Sequence, residues 1–325
     1  MAWRSAFVAF FAFVIACGAF GADEDPVTVP PRDGGTDEAS SDGSALADAG
    51  VKADTGPAGP CDLTAPFGPQ KQIVAGANEN LTAALSDDEL TIFFDNFLGT
   101  RWAIYTATRA NIGDTFTTAS EIGAPVALVS NDTYNPALST DGLTLIFMTN
   151  RDGSGYHLWK ATRTSTASGF GAPGNLSVVN SGSAAQDREP FLATDGALWF
   201  TSERPTAGGD TNVFRAPAVD GGGYSVPAPV NELNSTVAER KPVLSRDGLT
   251  VFFGSKRSGG KGGTDVWSAK RTKLSAMFEA LAPVGELDTA SDEFPTWISA
   301  DSCRLYFVSD RSGTKRLYVA SRGGK

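Results

Sequence analysis

Histidine and cysteine are scarce in this chain, whose 325 residues include one histidine and three cysteines. One imidazole excludes a multi-histidine metal centre, and three thiols exclude a four-cysteine zinc site or a framework of several disulfides. No G-x-S-x-G segment and no glycine-rich phosphate motif is present, so neither serine-histidine catalysis nor nucleotide binding is predicted. The net charge of −10 argues against a nucleic-acid partner. We expect no cofactor and no metal.

The first 22 residues predict export. Arg4 precedes an unbroken apolar run over residues 6–16, which has the length of a signal-peptide core and is too short for a membrane-spanning helix. The segment Val14-Ile15-Ala16-Cys17 resembles the bacterial lipobox, and this resemblance implies lipidation at Cys17. Ordinary cleavage near Ala19 or Ala22 and a short uncleaved anchor are the alternatives. All three export the rest of the chain to an oxidising compartment.

Residues 23–66 predict a disordered acidic linker. Positions 23–63 hold ten acidic side chains, two basic ones and no aromatic residue. A segment of this composition buries too little apolar surface to offset the entropy lost on ordering. It would either tether a folded domain to a membrane or act as a generic spacer.

The rest of the chain, residues 67–325, is one motif repeated five times. A shared aspartate recurs at intervals of 53, 54, 52 and 54 residues. It stands at Asp88, Asp141, Asp195, Asp247 and Asp301. In three copies glycine follows it, which is a strong signal for a hairpin turn between the first and second strands. Each copy has room for four short strands and their turns.

The third strand of every copy is apolar on both faces. It carries an aromatic residue, an apolar residue directly before it and an alanine two positions after it. The aromatic residues are Tyr105, Trp159, Phe214, Trp267 and Tyr318. A strand buried on both faces belongs between stacked sheets, and radially stacked four-stranded sheets form a propeller. The sequence therefore predicts an all-β fold, a five-bladed β-propeller of four-stranded antiparallel blades.

The repeats resemble the TolB-type, WD40-like propeller repeat of bacterial envelope proteins. The best matches to its pattern, P-x-L-S-x-D-G-x-T-L-x-F followed by S-x-R, run from Pro136 to Arg163 and from Pro242 to Arg271. The first copy departs from it, since Asp87-Asp88-Glu89 replaces the Asp-Gly turn. This resemblance implies an exported bacterial protein.

The phase of the repeats predicts how the ring closes. The repeat region starts with a strand of the fourth, outer type and ends at Arg322 with a strand of the third type. The last blade therefore lacks its outer strand, and residues 70–75 would supply it. Cys61 precedes that strand and Cys303 lies in a turn of the last blade, so we predict a Cys61–Cys303 disulfide. Two separate thiols are the alternative.

One face of the propeller is predicted to carry a charged rim around the channel mouth. The rim residues follow the second strands or begin the first strands. We expect it to contain Arg151, Asp187, Arg188, Arg204, Glu239, Arg240, Arg257, Asp292, Glu293 and Arg311, with the aromatic Phe97 and Trp102 from the divergent first blade. The rim would bind a ligand or partner. Alternatively, its arginine–carboxylate pairs only fix loop geometry, since they recur in most blades.

These features predict a non-enzymatic binding or interaction module in the periplasm, on the outer membrane or at the cell surface. Its partner would be an envelope protein or a glycan, and a lipid anchor would be its only membrane contact. The alternatives are a five-bladed glycoside hydrolase and a secreted carbohydrate-binding propeller. A hydrolase needs two carboxylates flanking a sugar, for which Asp187, Glu239, Asp292 and Glu293 are the candidates.

Overall fold

The structure is a computed structural model that describes residues 61–76, 78–182, 185–205 and 210–323. The predicted signal peptide, the lipidation site at Cys17 and most of the predicted linker lie outside the described residues. Over the described ranges every regular element is a strand. Within these ranges no helix has the length and apolar character needed to cross a membrane.

Twenty-two strands follow one another along the described chain. They are β1 (Phe67–Gln72), β2 (Ala83–Leu85), β3 (Thr91–Phe97), β4 (Trp102–Thr108), β5 (Ala119–Glu121), β6 (Thr133–Leu138), β7 (Thr144–Thr149), β8 (His157–Thr162), β9 (Gly174–Asn175), β10 (Asp187–Leu192), β11 (Leu198–Ser202), β12 (Asn212–Ala216), β13 (Ala218–Val219), β14 (Gly223–Tyr224), β15 (Ala228–Pro229), β16 (Glu239–Leu244), β17 (Thr250–Ser255), β18 (Asp265–Lys270), β19 (Glu279–Pro283), β20 (Glu293–Ile298), β21 (Arg304–Ser309) and β22 (Arg316–Arg322).

The strands form five four-stranded antiparallel sheets, which are the blades of a propeller. Blade 1 is β2-β3-β4-β5, blade 2 is β6-β7-β8-β9, blade 3 is β10-β11-β12-β15, blade 4 is β16-β17-β18-β19 and blade 5 is β20-β21-β22-β1. The first strand of each blade contacts the first strands of both neighbouring blades, so these five strands enclose the central channel. The predicted five-bladed fold is confirmed. An extra hairpin, β13-β14, was not predicted and lies in blade 3 between β12 and β15.

The ring closes as the phase of the repeats predicts. Strand β1 pairs antiparallel with β22, and its Gln70 lies opposite Ala320. The strand begins at Phe67 and so starts three residues before the predicted segment, because Phe67 already lies opposite Arg322. The predicted disulfide is present, with the Cα atoms of Cys61 and Cys303 5.8 Å apart. The bridge and β1 thus join the two ends of the propeller.

The hydrophobic core lies between neighbouring blades. In blade 4, Trp267 packs into the cluster shared with blade 3, where it joins Trp199 and Phe278. The preceding residue, Val266, points the other way and packs against blade 5 beside Phe307. This two-sided burial explains why the third strands are apolar on both faces.

The shared aspartate of the repeat stabilises the hairpin turn. In blade 2, Ser139 Oγ donates a hydrogen bond of 2.6 Å to Asp141 Oδ1, and the Leu143 N–H donates a second of 2.9 Å. The same pair of bonds forms at Asp88, Asp247 and Asp301. The hydrogen bond from Ser139 and that from Leu143 lower the pKa of Asp141. The aspartate that recurs once per blade therefore marks a hairpin turn.

Candidate functional site

Arg257, a predicted rim residue, is folded into its own blade. Its Nη2 donates to Glu239 Oε1 (2.9 Å) and to the Leu233 carbonyl (2.6 Å), and its Nε donates to Ser255 Oγ (2.9 Å). The guanidinium lies 5.4 Å from the ring centre of Trp267. The Glu239 side chain has 0% exposure. We call this arrangement of arginine, buried carboxylate and serine the brace.

The brace recurs in blades 3 and 5. The partners there are Arg204 with Asp187 at 2.6 Å and Arg311 with Glu293 at 3.3 Å. In blade 2 the carboxylate is replaced by Thr133, and Arg151 donates instead to the carbonyls of Pro125 and Val126. Seven predicted rim residues therefore contact the interior of the propeller and are not displayed at the channel mouth.

The other predicted rim residues lie elsewhere. Asp292 accepts a hydrogen bond of 2.8 Å from the Thr264 N–H and so links blades 4 and 5. Arg188, Arg240 and Trp102 come together around a cavity.

A cavity of about 150 Å³ lies at the channel mouth, on the face that carries the starts of the first strands. We call it the central cavity. It is lined by Leu81, Trp102, Tyr134, Asn135, Met148, Arg188, Glu189, Arg240, Lys241, Phe294 and Lys315. The lining draws side chains from every blade, so the cavity exists only when the ring is closed.

Three first strands bulge where they reach the central cavity. Asn135, Glu189 and Lys241 occupy equivalent positions in blades 2, 3 and 4, with φ angles of 54°, 56° and 50°. At each of them the register with the second strand shifts. A bulge of this kind re-aims a side chain, and all three side chains are buried and line the cavity. Left-handed backbone at non-glycine residues is strained and is concentrated at functional sites.

Charges of opposite sign lie together in the wall of the cavity. Glu189 Oε1 accepts from Arg240 Nε at 2.9 Å, and its Oε2 accepts from Thr201 Oγ1 at 2.8 Å. Burial raises the pKa of Glu189, but the charges of Arg240 and Lys241 outweigh it and bring the pKa to about 2. Burial lowers the pKa of Lys241 to about 8, and burial raises the pKa of Asp95 to about 6. Among the described residues, no group of three or more His, Cys, Asp or Glu side chains could hold a metal.

A row of four aromatic rings leads into the central cavity. Phe97 lies 5.0 Å from Trp102, Trp102 stacks on Tyr134 at 5.9 Å, and Tyr134 meets Tyr156 edge-on at 5.6 Å, all between ring centres. All four rings are half-buried. We call them the aromatic row. It is unique to the boundary of blades 1 and 2 within the described ranges, since the loops of the other blades carry the brace arginine instead of Phe97-Leu98.

Sequence reasoning missed the bulged residues and half of the aromatic row. Glu189 and Lys241 directly follow the predicted rim residues Arg188 and Arg240, and Asn135 is their equivalent in blade 2. The three segments are Asp-Arg-Glu-Pro, Glu-Arg-Lys-Pro and Thr-Tyr-Asn-Pro. A polar residue directly before proline in these three first strands was the available signal. In a regular strand, the residue before proline and the residue preceding it point to opposite faces. Regular alternation therefore gave no reason to expect both side chains in one cavity.

Asp288 stands where two other blade crossings have asparagine. Asn180 accepts from the Leu158 N–H (2.9 Å) and donates to the Leu158 carbonyl (2.9 Å). Asn234 does the same with Val213, at 2.7 and 3.0 Å. A carboxylate accepts the first of these bonds and is unable to donate the second.

The environment of Asp288 compensates by favouring its protonated form. Its Oδ1 is buried and has no hydrogen-bond partner, while the Val266 N–H bonds the side chain. Burial, followed by the charges of Asp265 and Glu293, raises the pKa of Asp288 to about 7, against the opposing charge of Lys261. A proton on Asp288 restores the donor that asparagine provides in blades 2 and 3.

Asp288→Asn is expected to stabilise the protein by about 1–3 kcal/mol at pH 8 and to have a much smaller effect at pH 4, because it supplies the missing donor at any pH. The pKa of Asp288 is raised on folding, so the wild type loses stability as the pH rises from about 4 towards 7, and the variant lacks that loss. Urea unfolding at both pH values measures this. Asp220→Asn in an exposed turn is the control, and equal gains at pH 4 and pH 8 would contradict the assignment.

No protein-family model and no curated protein matches the chain, whereas solved structures do. It is similar to TolB from Acinetobacter baumannii, with a TM-score of 0.48 and 18% identity over 76% of this chain and 56% of that one. It is similar to a puromycin-hydrolyzing peptidase of Mycobacterium tuberculosis, with a TM-score of 0.42 and 14% identity over 80% of this chain and 39% of that one. It is also similar to the catalytic domain of a Coprinopsis cinerea GH62 α-L-arabinofuranosidase, with a TM-score of 0.49 and 10% identity over 79% of this chain and 96% of that one. At these identities the likeness is one of fold, and the chain spans just over half the length of that TolB.

The prediction of a protein without enzymatic activity is wrong. The structures similar to this chain include a peptidase and an arabinofuranosidase beside TolB. One fold carries many unrelated functions, so a TolB-type repeat gave no ground for excluding catalysis.

Proposed function

We propose that the chain is an exported binding propeller of the cell envelope that holds a glycan at the channel mouth. The aromatic row carries this proposal, because half-buried rings at a cavity offer a sugar ring both apolar contact and a polar edge. Two of its four rings, Phe97 and Trp102, come from the first blade, whose loop departs most from the repeat. A specific site is asymmetric, whereas the braces repeat.

The disulfide supports the exported location. A bridge between Cys61 and Cys303 forms and persists in an oxidising compartment, in line with the signal-peptide character of residues 1–22. A lipid anchor at Cys17, on the periplasmic or the outer surface, is the finer form of this proposal. Acyl labelling of the chain and of a Cys17→Ser variant tests it, since labelling that persists in the variant would refute the anchor.

Trp102→Ala is expected to weaken glycan binding at least about thirtyfold, since a tryptophan at the centre of a binding site contributes about 2 kcal/mol or more. The measurement is calorimetric titration of the full exported chain with neutral hexasaccharides of glucose, xylose, mannose and galactose. Val129→Ala is the control, because Val129 is 85% exposed in a blade crossing outside the aromatic row.

Three outcomes separate the alternatives. Binding lost in Trp102→Ala and kept in Val129→Ala supports the proposed site. Capture of an envelope protein by a chain that binds none of the sugars would overturn it in favour of a protein partner. Release of reducing ends from a bound sugar would show that the site is catalytic.

A further inference from the structure

The central cavity is rich in cationic side chains. Its lining contains four cationic side chains and one carboxylate. The cations are Arg188, Arg240, Lys241 and Lys315, and the carboxylate is Glu189. Both oxygens of Glu189 already accept hydrogen bonds within the protein, from Arg240 and Thr201 among others. The Glu189 carboxylate therefore has few free acceptor positions for a ligand, whereas the cations retain free N–H donors.

The nearby carboxylates behind the lining are also engaged. Asp95 accepts from the backbone N–H groups of Leu81 and Thr82 at 2.5 and 3.0 Å, and Glu203 pairs with Arg188. Neither Asp95 nor Glu203 belongs to the cavity lining. With four cations and one carboxylate, the lining carries a net positive charge towards a ligand.

The cations keep unused donors at the cavity. Lys241 Nζ donates to the Leu81 carbonyl, which uses one of its three N–H groups. Arg188 Nε is buried without a hydrogen-bond partner. The Lys315 and Lys241 ammonium groups lie 5.7 and 5.0 Å from the ring centre of Phe294, which holds them at the cavity. Burying cations with unfilled donors is costly unless an anion or its equivalent satisfies them.

We propose that the glycan of the aromatic row is acidic, and that its carboxylate or phosphate group enters the central cavity and binds Lys241, Lys315 and Arg188. This inference rests on the proposed function, which it makes more specific. The aromatic row takes the sugar ring, since Trp102 and Tyr134 belong to both the row and the cavity lining. A volume of about 150 Å³ admits one acidic group and excludes a folded partner.

The test compares sugars that differ only in charge. Oligogalacturonate and oligogalactose of equal length share the ring configuration, and galactose 6-phosphate and inorganic phosphate distinguish the source of the anion. We expect the full exported chain to bind oligogalacturonate or galactose 6-phosphate at least tenfold more tightly than the neutral sugar. Raising the salt concentration should weaken only the acidic ligands.

Lys315→Met provides the matched variant, since Lys315 is half-buried and lies on a loop, so its loss leaves the fold intact. Its affinity for the acidic sugar should fall about tenfold and its affinity for the neutral sugar should not change. Lys256→Met is the control, because Lys256 is exposed on the corresponding loop of blade 4.

Two results would overturn the inference. One is equal affinity for the acidic and neutral sugars, and the other is an equal loss for both in Lys315→Met. Either result leaves glycan binding in place, whereas a chain that binds no sugar at all contradicts the proposed function itself. Binding of inorganic phosphate alone, without either sugar, would also overturn the inference and identify a simple anion site.

Discussion

Replacing Cys61 and Cys303 by serine is expected to lower the free energy of unfolding by about 3–5 kcal/mol. The bridge joins residues 242 positions apart, so its loss frees a very long loop in the unfolded chain. The bridge also holds the segment before β1 against blade 5, where β1 completes the sheet by pairing with β22. Equilibrium unfolding in urea, followed by tryptophan fluorescence, measures the difference.

Reductant provides the control for this prediction. An excess of dithiothreitol should shift the wild-type midpoint to that of the Cys61→Ser/Cys303→Ser variant and leave the variant unchanged. A wild-type midpoint that does not move, although thiol labelling shows that the bridge has opened, would contradict the role given to the disulfide.

The ring and its closure could be predicted because they depend on periodicity. The shared aspartate recurs once per blade, since in every hairpin turn it accepts a backbone N–H and in four of the five it also accepts a serine hydroxyl. The apolar residues on both faces of the third strands require a blade on each side. The repeat region begins with an outer strand and ends with a third strand. Blade 5 can therefore be completed only by pairing β1 with β22.

The central cavity could not be predicted in the same way. Its key side chains depend on bulges at Asn135, Glu189 and Lys241, where the register shifts and the backbone turns left-handed. Regular alternation predicts a different face for them. None of the three is glycine, so composition gave no signal for positive φ. The β13-β14 hairpin escaped prediction because it lies within a repeat of 52 residues, which is no longer than the others.

Glu239→Gln is expected to destabilise the protein by about 3–5 kcal/mol, because it leaves the Arg257 charge buried without a counter-ion. The Glu239 carboxylate accepts from Ser235 N–H (3.0 Å), Ser235 Oγ (2.5 Å) and Arg257 (2.9 Å). A glutamine keeps the size but turns one of these acceptors into a donor that faces another donor. Asp87→Asn is the control, since its pair with Arg246 is as short at 2.7 Å but exposed, and its loss should change stability by about 0–1 kcal/mol.

A double variant separates charge from packing and decides what the brace is for. Adding Arg257→Met to Glu239→Gln removes the unpaired cation, so most of the lost stability should return. Blade 2 shows that the site folds without a carboxylate, since Thr133 occupies the position and Arg151 bonds the carbonyls of Pro125 and Val126 instead. A double variant as unstable as Glu239→Gln would mean that shape, and not charge, holds the blade. If Glu239→Gln kept full stability but lost glycan binding, Glu239 would belong to the ligand site, and the brace would be part of the channel mouth after all.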